Sequence, residues 1–329
     1  MTAHAAKPKK ERKPRPPHPL DSLPTEMRSL FMDSGAHGLY NIKVLSKAGT
    51  VWGRGDFSYY DLKKGSEFRG YLDSYAAFIK ENGWALDYYA TVDAISNPEL
   101  TWEIQKFFEK EYDLHPVPVI HYGADMKWVQ RYLDDGYEFL GIGGLGQGVG
   151  KEEYFKWGDR LFSLLCAAPD RLPVARTHGF AMTAWDLLVR YPWWSVDSAS
   201  WIKAAAFGQI YVPRLVKGEF SFDHPPYSIT VSEKSPNRKE AGKHLMTMSP
   251  AAREAIVKWL THCGVSLGTE SQGDVVGEFG ALTHHKPRAL VNLLYFKALA
   301  DSRPKYPYPL DLKLVDPASV NYQQGFGLA

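Results

Sequence analysis

The sequence has little cysteine and no long apolar run. Cys166 and Cys263 are the only cysteines among 329 residues, which excludes a disulfide-stapled scaffold and a zinc site built from several thiolates. No stretch reaches the roughly 18 apolar residues that a membrane span needs, and the charged N-terminus lacks the apolar core of a secretory signal. We therefore expect a cytoplasmic protein that has no membrane partner.

The chain also has little net charge, +2, but this charge is unevenly distributed. Residues 1–20 hold six basic residues, one acidic residue and five prolines, so the rest of the chain is slightly acidic. Such a segment cannot bury enough apolar surface to fold alone. It is either a solvated tail or an arm that binds nucleic-acid phosphates. Its basic side chains are Lys7, Lys9, Lys10, Arg12, Lys13 and Arg15.

From residue 29 onward, short apolar runs alternate with amphipathic stretches. This alternation predicts repeated strand–helix units and a parallel sheet. The seven predicted strands lie at 29–33, 88–93, 117–121, 139–143, 175–179, 194–197 and 209–212. Because they are so numerous, they favour an α/β fold of the (β/α)₈ barrel type, with an open doubly wound sheet as the alternative. We expect two parts, a basic arm at 1–20 and one barrel domain at 21–329.

The helices between these strands are predicted from their apolar spacing. In the segment 71–82, Leu72, Tyr75, Phe78 and Ile79 share one face. Thr183 with Asp186 resembles a capping box that opens a helix. Further helices are predicted at 102–110, 127–133 and 152–165.

The pattern changes after about residue 215. A polar, proline-containing excursion with a hairpin is expected up to 248. A small helical appendage should follow it. Its first helix is capped by Ser249 with Pro250 at the first position and ends at Gly264, and its second helix covers about 288–301.

Polar residues and glycines follow the predicted strands at their C-terminal ends. In a barrel these ends meet at one mouth, where such folds place their chemistry. Two of the carboxylates could divide the roles of nucleophile and proton acceptor. The residues at strand ends are Asp33, Asp93, His121, Gly143, Gly144, His178 and Asp197.

Each of these residues also has a purely structural explanation. Asp33 could cap the turn that follows it, and His121 and His178 could be hydrogen-bonded core residues. The tryptophans around Asp197 could be core or a surface on which a nucleobase stacks.

The glycine-rich run 141–148 could be a tight turn or could let the backbone approach a flat ligand. It has neither a Walker pattern nor a dinucleotide-binding acidic partner. His244, Cys263, His284 and His285 lack ligand spacing, so no metal site is predicted.

Five segments together resemble the tRNA-guanine transglycosylase superfamily, and more closely its phage-type branch, the DNA 7-deazaguanine transglycosylases. The resemblance covers about residues 29–213, and the last segment is the most specific. The segments are Asp33–Ala36, His121–Gly123, Gly141–Gly144, His178–Thr183 and Tyr191–Trp201.

The resemblance implies that guanine in DNA is exchanged for a 7-deazaguanine base such as 7-cyano-7-deazaguanine. Asp197 would attack C1′ of the nucleotide, and Asp33 would act as general base toward the incoming base. Asp93 would bind the N1 and N2 donors of the base, and the backbone of Gly143 and Gly144 would contact it. Ser34, His121, His178 and Trp201 lie in the matched segments and are expected to bind substrate.

Two departures separate the chain from the tRNA enzymes. It lacks their cysteine-rich zinc motif, so no metal is implied. It has His121-Tyr122-Gly123 where those enzymes have Gln-Gly-Gly, which leaves His121 able to bond the 7-substituent. The expected partners are DNA and the free base, without a cofactor, in the host cytoplasm if the chain is phage-encoded. The alternatives are the same exchange on tRNA and a catalytically inactive nucleic-acid-binding barrel.

Overall fold

The computed structural model describes residues 29–41, 44–45, 51–52, 56–144, 150–236, 242, 244–275 and 277–315. These residues form two compact units. The first comprises the residues up to Ala94 together with Glu99–Val117, and the second comprises Ile95–Pro98 and the residues from Pro118 onward. The six basic residues of the arm and residues 145–149 of the glycine-rich run lie outside the described residues.

The first unit combines short strands with two long helices. Its elements, in chain order, are β1 (Phe31–Met32), α1 (Ala36–Asn41), β2 (Val44–Leu45), β3 (Val51–Trp52), α2 (Glu67–Asn82), β4 (Tyr88–Tyr89) and α3 (Pro98–Tyr112). The first residue of α3, Pro98, is assigned to the second unit. β1 and β4 pair in parallel, and Ala90 forms a parallel bridge with Val117. β2 and β3 form a separate antiparallel pair.

α2 supplies five of the eleven buried residues in the described hydrophobic core of this unit. The helix begins after Ser66, whose hydroxyl oxygen accepts a hydrogen bond from the backbone N–H of Arg69 at 3.1 Å. Leu72, Tyr75 and Ile79 are buried against Phe108 of α3 and other apolar residues, as the helical spacing predicts. Phe78 is 45% exposed, so the prediction was wrong for this residue, because it lies at the edge of the apolar stripe.

The second unit holds a parallel sheet followed by mixed structure. Its elements are β5 (Val119–His121), α4 (Met126–Asp134), β6 (Phe139–Gly143), α5 (Lys151–Leu165), β7 (Arg176–Gly179), α6 (Trp185–Arg190), β8 (Ser195–Val196), α7 (Ser200–Ala206), β9 (Gln209–Val212), β10 (Arg214–Val216), β11 (Glu219–Ser221), β12 (Tyr227–Thr230), α8 (Pro250–His262) and α9 (His285–Asp301).

β5, β6, β7 and β8 form one parallel sheet in that order. All five residues of β6 are buried, as expected of a strand covered on both faces. The register places His121 beside Gly143 and His178 beside Ser195. The C-terminal ends of these four strands therefore lie along one edge of the sheet.

The strand after α7 departs from the predicted pattern. β9 pairs in antiparallel fashion with β12, and β10 with β11 forms the expected hairpin. A mixed α/β fold with parallel strands is confirmed. The hydrogen bonds among the described strands do not close an eight-stranded barrel, because the chain turns back after β9. α9 packs against α7 and β9.

The helix ends agree with the sequence at one site and not at another. Ser249 caps α8 through the N–H of Ala252 at 3.3 Å, as predicted. The predicted capping box at Thr183 is wrong. α6 has Ala184 at its cap position, without a side-chain hydrogen bond, because the Thr183 hydroxyl bonds that of Ser200 at 2.8 Å.

Candidate active site

Asp197 directly follows β8 and its side chain is oriented by the turn after β7. Its Oδ1 atom accepts a hydrogen bond from the backbone N–H of Ala181 at 2.8 Å. Its own N–H donates to the carbonyl oxygen of Gly179 at 3.1 Å. The side chain is nevertheless 61% exposed. An oriented carboxylate that solvent can reach is suited to attack an electrophilic carbon.

The turn that orients Asp197 carries backbone strain. Ala181 has φ of 56°, a left-handed conformation that residues with a Cβ atom adopt rarely. Such strain persists where the surrounding structure fixes the backbone, often at functional sites. Here it directs the N–H of Ala181 at the carboxylate.

His178 lies on the neighbouring strand beneath this carboxylate. Its Nδ1 atom is 2.8 Å from Oγ of Ser195, and its Nε2 atom is 3.7 Å from Oδ1 of Asp197. Burial lowers the pKa of His178 to about 4, although the negative charge of Asp197 opposes this effect. The imidazole is therefore neutral at pH 7.

The surroundings of His178 favour one tautomer of the neutral ring. A lone pair on Nε2 would face the carboxylate of Asp197, which is electrostatically unfavourable. With the proton on Nε2, a positive edge faces the carboxylate and the hydroxyl of Ser195 donates to Nδ1. The distance of 3.7 Å is too long for a hydrogen bond, so the interaction is electrostatic.

Gly141 makes room for the aromatic neighbour of His178. The rings of His178 and Phe180 meet edge to face with centroids 4.6 Å apart. A Cβ atom at position 141 would lie 2.6 Å from Cε2 of Phe180, far inside van der Waals contact. Glycine at this position therefore lets the ring of Phe180 lie over β6.

Gly143 and Gly144 lie against His121 at the next strand ends. A Cβ atom at Gly143 would lie 3.0 Å from Cδ2 and 3.1 Å from Nε2 of His121. Gly144 has φ of 80°. The carbonyl oxygen of Gly143 accepts a hydrogen bond from the N–H of Tyr122 at 2.9 Å. Gly144 is less buried than Gly143. Of the two glycines, Gly144 is therefore the one whose backbone is more accessible to a base.

The sheet edge of the second unit therefore brings together several predicted site residues. His121, Gly143, Gly144, His178 and Asp197 all follow or end the strands of one parallel sheet. A neutral histidine, a carboxylate and a glycine-lined surface are juxtaposed there. This arrangement can hold a flat, uncharged ligand beside an exposed carboxylate.

The remaining predicted carboxylates belong to the first unit. Asp33 follows β1 and is exposed, and its Oδ1 accepts the N–H of Gly35 at 3.3 Å, which is the predicted turn-capping contact. Asp93 lies beyond β4 and is buried. Burial chiefly raises the pKa of the Tyr75 hydroxyl, and the charges of Asp33 and Asp93 add to this effect, so both carboxylates lie near Tyr75.

Ser34 makes hydrogen bonds in and next to the turn after β1, and the expectation that it binds substrate stays a prediction. It is buried, its hydroxyl oxygen lies 3.4 Å from the N–H of Ala36, and its carbonyl oxygen accepts the hydroxyl of Tyr71 at 2.5 Å. These contacts hold the Asp-Ser-Gly-Ala turn in place after β1. The exposed carboxylate of Asp33 is thereby fixed relative to the strand.

Trp201 lines a cavity of about 720 Å³ in the second unit, together with Asp197 and Ser198. Sequence reasoning missed two contributors to this region. Ser195, which bonds His178, lies inside a motif that was identified, but its role depends on strand register. The segment 303–308, which also lines the cavity, is rich in proline and tyrosine. That composition was the one feature of the sequence that set this segment apart.

The described residues contain neither a cluster of metal-binding side chains nor a membrane-spanning helix. No group of three or more histidine, cysteine, aspartate or glutamate side chains there could hold a metal ion. No helix in the described part of the chain is long and apolar enough to cross a membrane. Comparison of the sequence with protein-family models and with curated proteins gives no match.

Proposed function

We propose that this protein is a DNA-guanine transglycosylase, which exchanges guanine in DNA for a 7-deazaguanine base. The observation that carries the proposal is the Asp197 carboxylate. It is oriented by a backbone N–H, exposed, and adjacent to a buried neutral histidine. The sequence motifs that resemble the transglycosylases contain each of these groups.

In the first half-reaction, a carboxylate oxygen of Asp197 attacks C1′ of the target nucleotide. The bond from C1′ to N9 of guanine breaks, and the departing guanine takes up a proton at N9 from solvent water. The hydrogen bond from Ala181 occupies Oδ1, so Oδ2 is the better placed nucleophile. The Nε2–H edge of His178 faces the carboxylate of Asp197 without supplying a proton, because a neutral imidazole is not an acid at pH 7.

In the second half-reaction, the incoming base loses its N9 proton to Asp33. Its N9 atom then attacks C1′, and the ester bond to Asp197 breaks. Two displacements at one carbon retain its configuration. The bonds broken and formed are of the same kind, so the exchange needs no external energy source and no cofactor. Asp93 would accept hydrogen bonds from N1 and N2 of the base.

This proposal includes a (β/α)₈ barrel whose strand ends present these groups. It also includes selection of DNA over RNA. Trp193, Trp194 and Trp201 line the same cavity as Asp197, and the apolar faces of their rings offer no hydrogen-bond partner to a 2′-hydroxyl. The target purine must leave its stack before C1′ can be attacked, and the aromatic surroundings would then hold this purine.

Replacement of Asp197 by asparagine tests the proposal most simply. The amide oxygen can still accept the N–H of Ala181, so the fold and DNA binding should persist while guanine exchange is lost. Asp170→Asn is the matched control, since Asp170 is an exposed carboxylate that also accepts one backbone N–H, that of Leu172 at 3.0 Å. Near-normal exchange by Asp197→Asn would refute its role as nucleophile.

The covalent intermediate gives a second readout. Wild-type protein incubated with labelled single-stranded DNA without free base should yield a protein–DNA adduct that survives denaturation. Mass spectrometry should place the adduct on Asp197. An adduct on another side chain would contradict the mechanism even if exchange occurs.

A further inference from the structure

The cavity beside Asp197 extends well past the carboxylate itself. Its volume is about 720 Å³, within the range of roughly 300 to 1,000 Å³ that is typical of ligand pockets. β8, the start of α7, one face of α9 and the segment 303–308 form its walls. Neither half-reaction proposed above uses most of this space.

The walls of this cavity are unusually aromatic. Trp194, Trp201, Tyr306 and Tyr308 are all partly exposed within it. The hydroxyl of Tyr308 donates to the carbonyl oxygen of Tyr191 at 2.9 Å, and that of Tyr306 donates to Ala175 at 3.3 Å. These hydrogen bonds fix the tyrosine rings, so that little conformational entropy is lost when a flat ligand stacks on them.

The carboxylate of Asp197 and the basic groups of Arg303 and Lys305 all line the cavity, and the balance of these three charges favours an anionic ligand next to the segment 303–308. The carboxylate of Asp301 is neutralised by Lys297 at 2.6 Å. Lys305 is exposed and forms no ion pair within the described part of the chain, and Arg303 contributes a second positive charge. Stacking surfaces next to an unneutralised ammonium group are the features by which proteins hold single-stranded nucleic acid.

We propose that this cavity binds the nucleotide adjacent to the target guanine on the same unpaired DNA strand. The base would stack on Trp201, and a neighbouring phosphate would pair with Lys305. The inference depends on the proposed function, which requires C1′ of the target at Asp197. Because Asp197 and Ser198 line the cavity, the next nucleotide of the strand has to pass through or beside this space.

A double-mutant cycle between protein and DNA tests the stacking contact directly. The probe is a fluorescein-labelled single-stranded oligodeoxynucleotide with one guanosine among thymidines, and binding is measured by anisotropy. An abasic residue replaces each neighbour of the guanosine in turn. For wild-type protein, one of these replacements should weaken binding about 10-fold, whereas abasic residues farther away should change it little.

Trp201→Ala should weaken binding of the intact probe by a similar factor. It should also make the protein insensitive to the abasic neighbour, because the two changes remove the same contact. Phe207→Ala is the matched control, since Phe207 follows the same helix, is 79% exposed and does not line the cavity. Trp201→Phe, which retains a ring in the helix, should recover part of the affinity.

The phosphate contact has its own readout. Lys305→Ala should lower the slope of log affinity against log salt concentration by about 0.7, the contribution of one phosphate on a single strand. Lys313→Ala removes an exposed lysine that does not line the cavity and should leave the slope unchanged. Thermal unfolding of each variant separates loss of binding from loss of fold.

The outcomes distinguish the two proposals. If wild-type protein exchanges guanine but Trp201→Ala and the abasic neighbour weaken binding additively, the cavity does not hold this base. The further inference is then wrong, and the proposed function stands. If the two changes are coupled but wild-type protein exchanges no guanine, the transglycosylase function is wrong and the cavity is a DNA-binding site only.

Discussion

The Nε2 atom of His178 lies 3.7 Å from the Oδ1 atom of Asp197, across two neighbouring strands of one parallel sheet. The histidine is buried and the aspartate is exposed. This relationship places a group that burial holds neutral beside an exposed carboxylate. It predicts how the stability of the protein depends on pH.

Acidification should destabilise the protein through His178. Its pKa is about 4 in the folded state instead of the ordinary 6.5, so between these values the unfolded chain binds a proton that the folded chain does not. The free energy of unfolding should therefore fall as pH falls from 6.5 to 4, by at most about 3 kcal/mol from this residue. Urea unfolding at pH 4.5 to 7.5 measures it.

In His178→Gln this component of the pH dependence should disappear. His224→Gln, which replaces an exposed histidine of the same unit, should keep it. Identical pH profiles for wild type and His178→Gln would mean that His178 does not remain neutral in the folded protein.

Gly141→Ala should disturb the site through Phe180. The new methyl group would lie 2.6 Å from the ring, and such overpacking costs about 1 to 3 kcal/mol of stability. Displacement of Phe180 would move the edge-to-face contact with His178, so kcat for exchange should fall as well. Gly70→Ala is the control, because a Cβ atom there meets nothing within 4 Å, and it should stabilise α2 by about 0.5 to 1 kcal/mol.

Asp33→Asn should slow one half-reaction selectively. The incoming base must lose its N9 proton to attack C1′, and asparagine cannot accept that proton. Formation of the Asp197 adduct should persist, while its turnover by added 7-deazaguanine should slow by at least about 100-fold. Rapid-quench measurement of the two steps checks this, and equal rates for wild type and variant would remove Asp33 from the mechanism.

Removal of residues 1–19 should weaken DNA binding without altering sequence preference. The deletion removes six basic side chains, so the salt slope should fall by at most roughly 4 to 5. Sequence preference should persist, because phosphate contacts position a protein and do not specify bases. An unchanged slope in titrations at several salt concentrations would identify the arm as a solvated tail.

Local patterns in the sequence predicted much of the fold. Each of the seven predicted strands contains an observed strand, since short apolar runs before polar strand ends are a local property. β9 was predicted as a strand of the parallel sheet but is antiparallel, and its sequence carried a local signal of this difference. Ile210 and Val212 are buried and alternate with less buried neighbours, which is typical of an antiparallel strand, whereas the fully buried β6 is typical of a parallel one.

The candidate site was only partly predictable, because its contacts depend on register between distant segments. Asp197 and His178 follow predicted strands and were identified. Ser195 reaches His178 only because β7 and β8 align these two positions. Lys305 joins the cavity from a segment more than 100 residues farther along the chain. The proline and tyrosine content of that segment is visible in the sequence, but it does not show which distant residues the segment contacts.

Base exchange in DNA through Asp197 is the activity that we propose for this protein. The most direct measurement incubates the full-length protein with radiolabelled guanine and either DNA, single-stranded or duplex, or tRNA under identical conditions. We predict that label enters DNA, that little enters tRNA, and that Asp197→Asn incorporates none into either. Efficient labelling of tRNA with none in DNA would contradict this account.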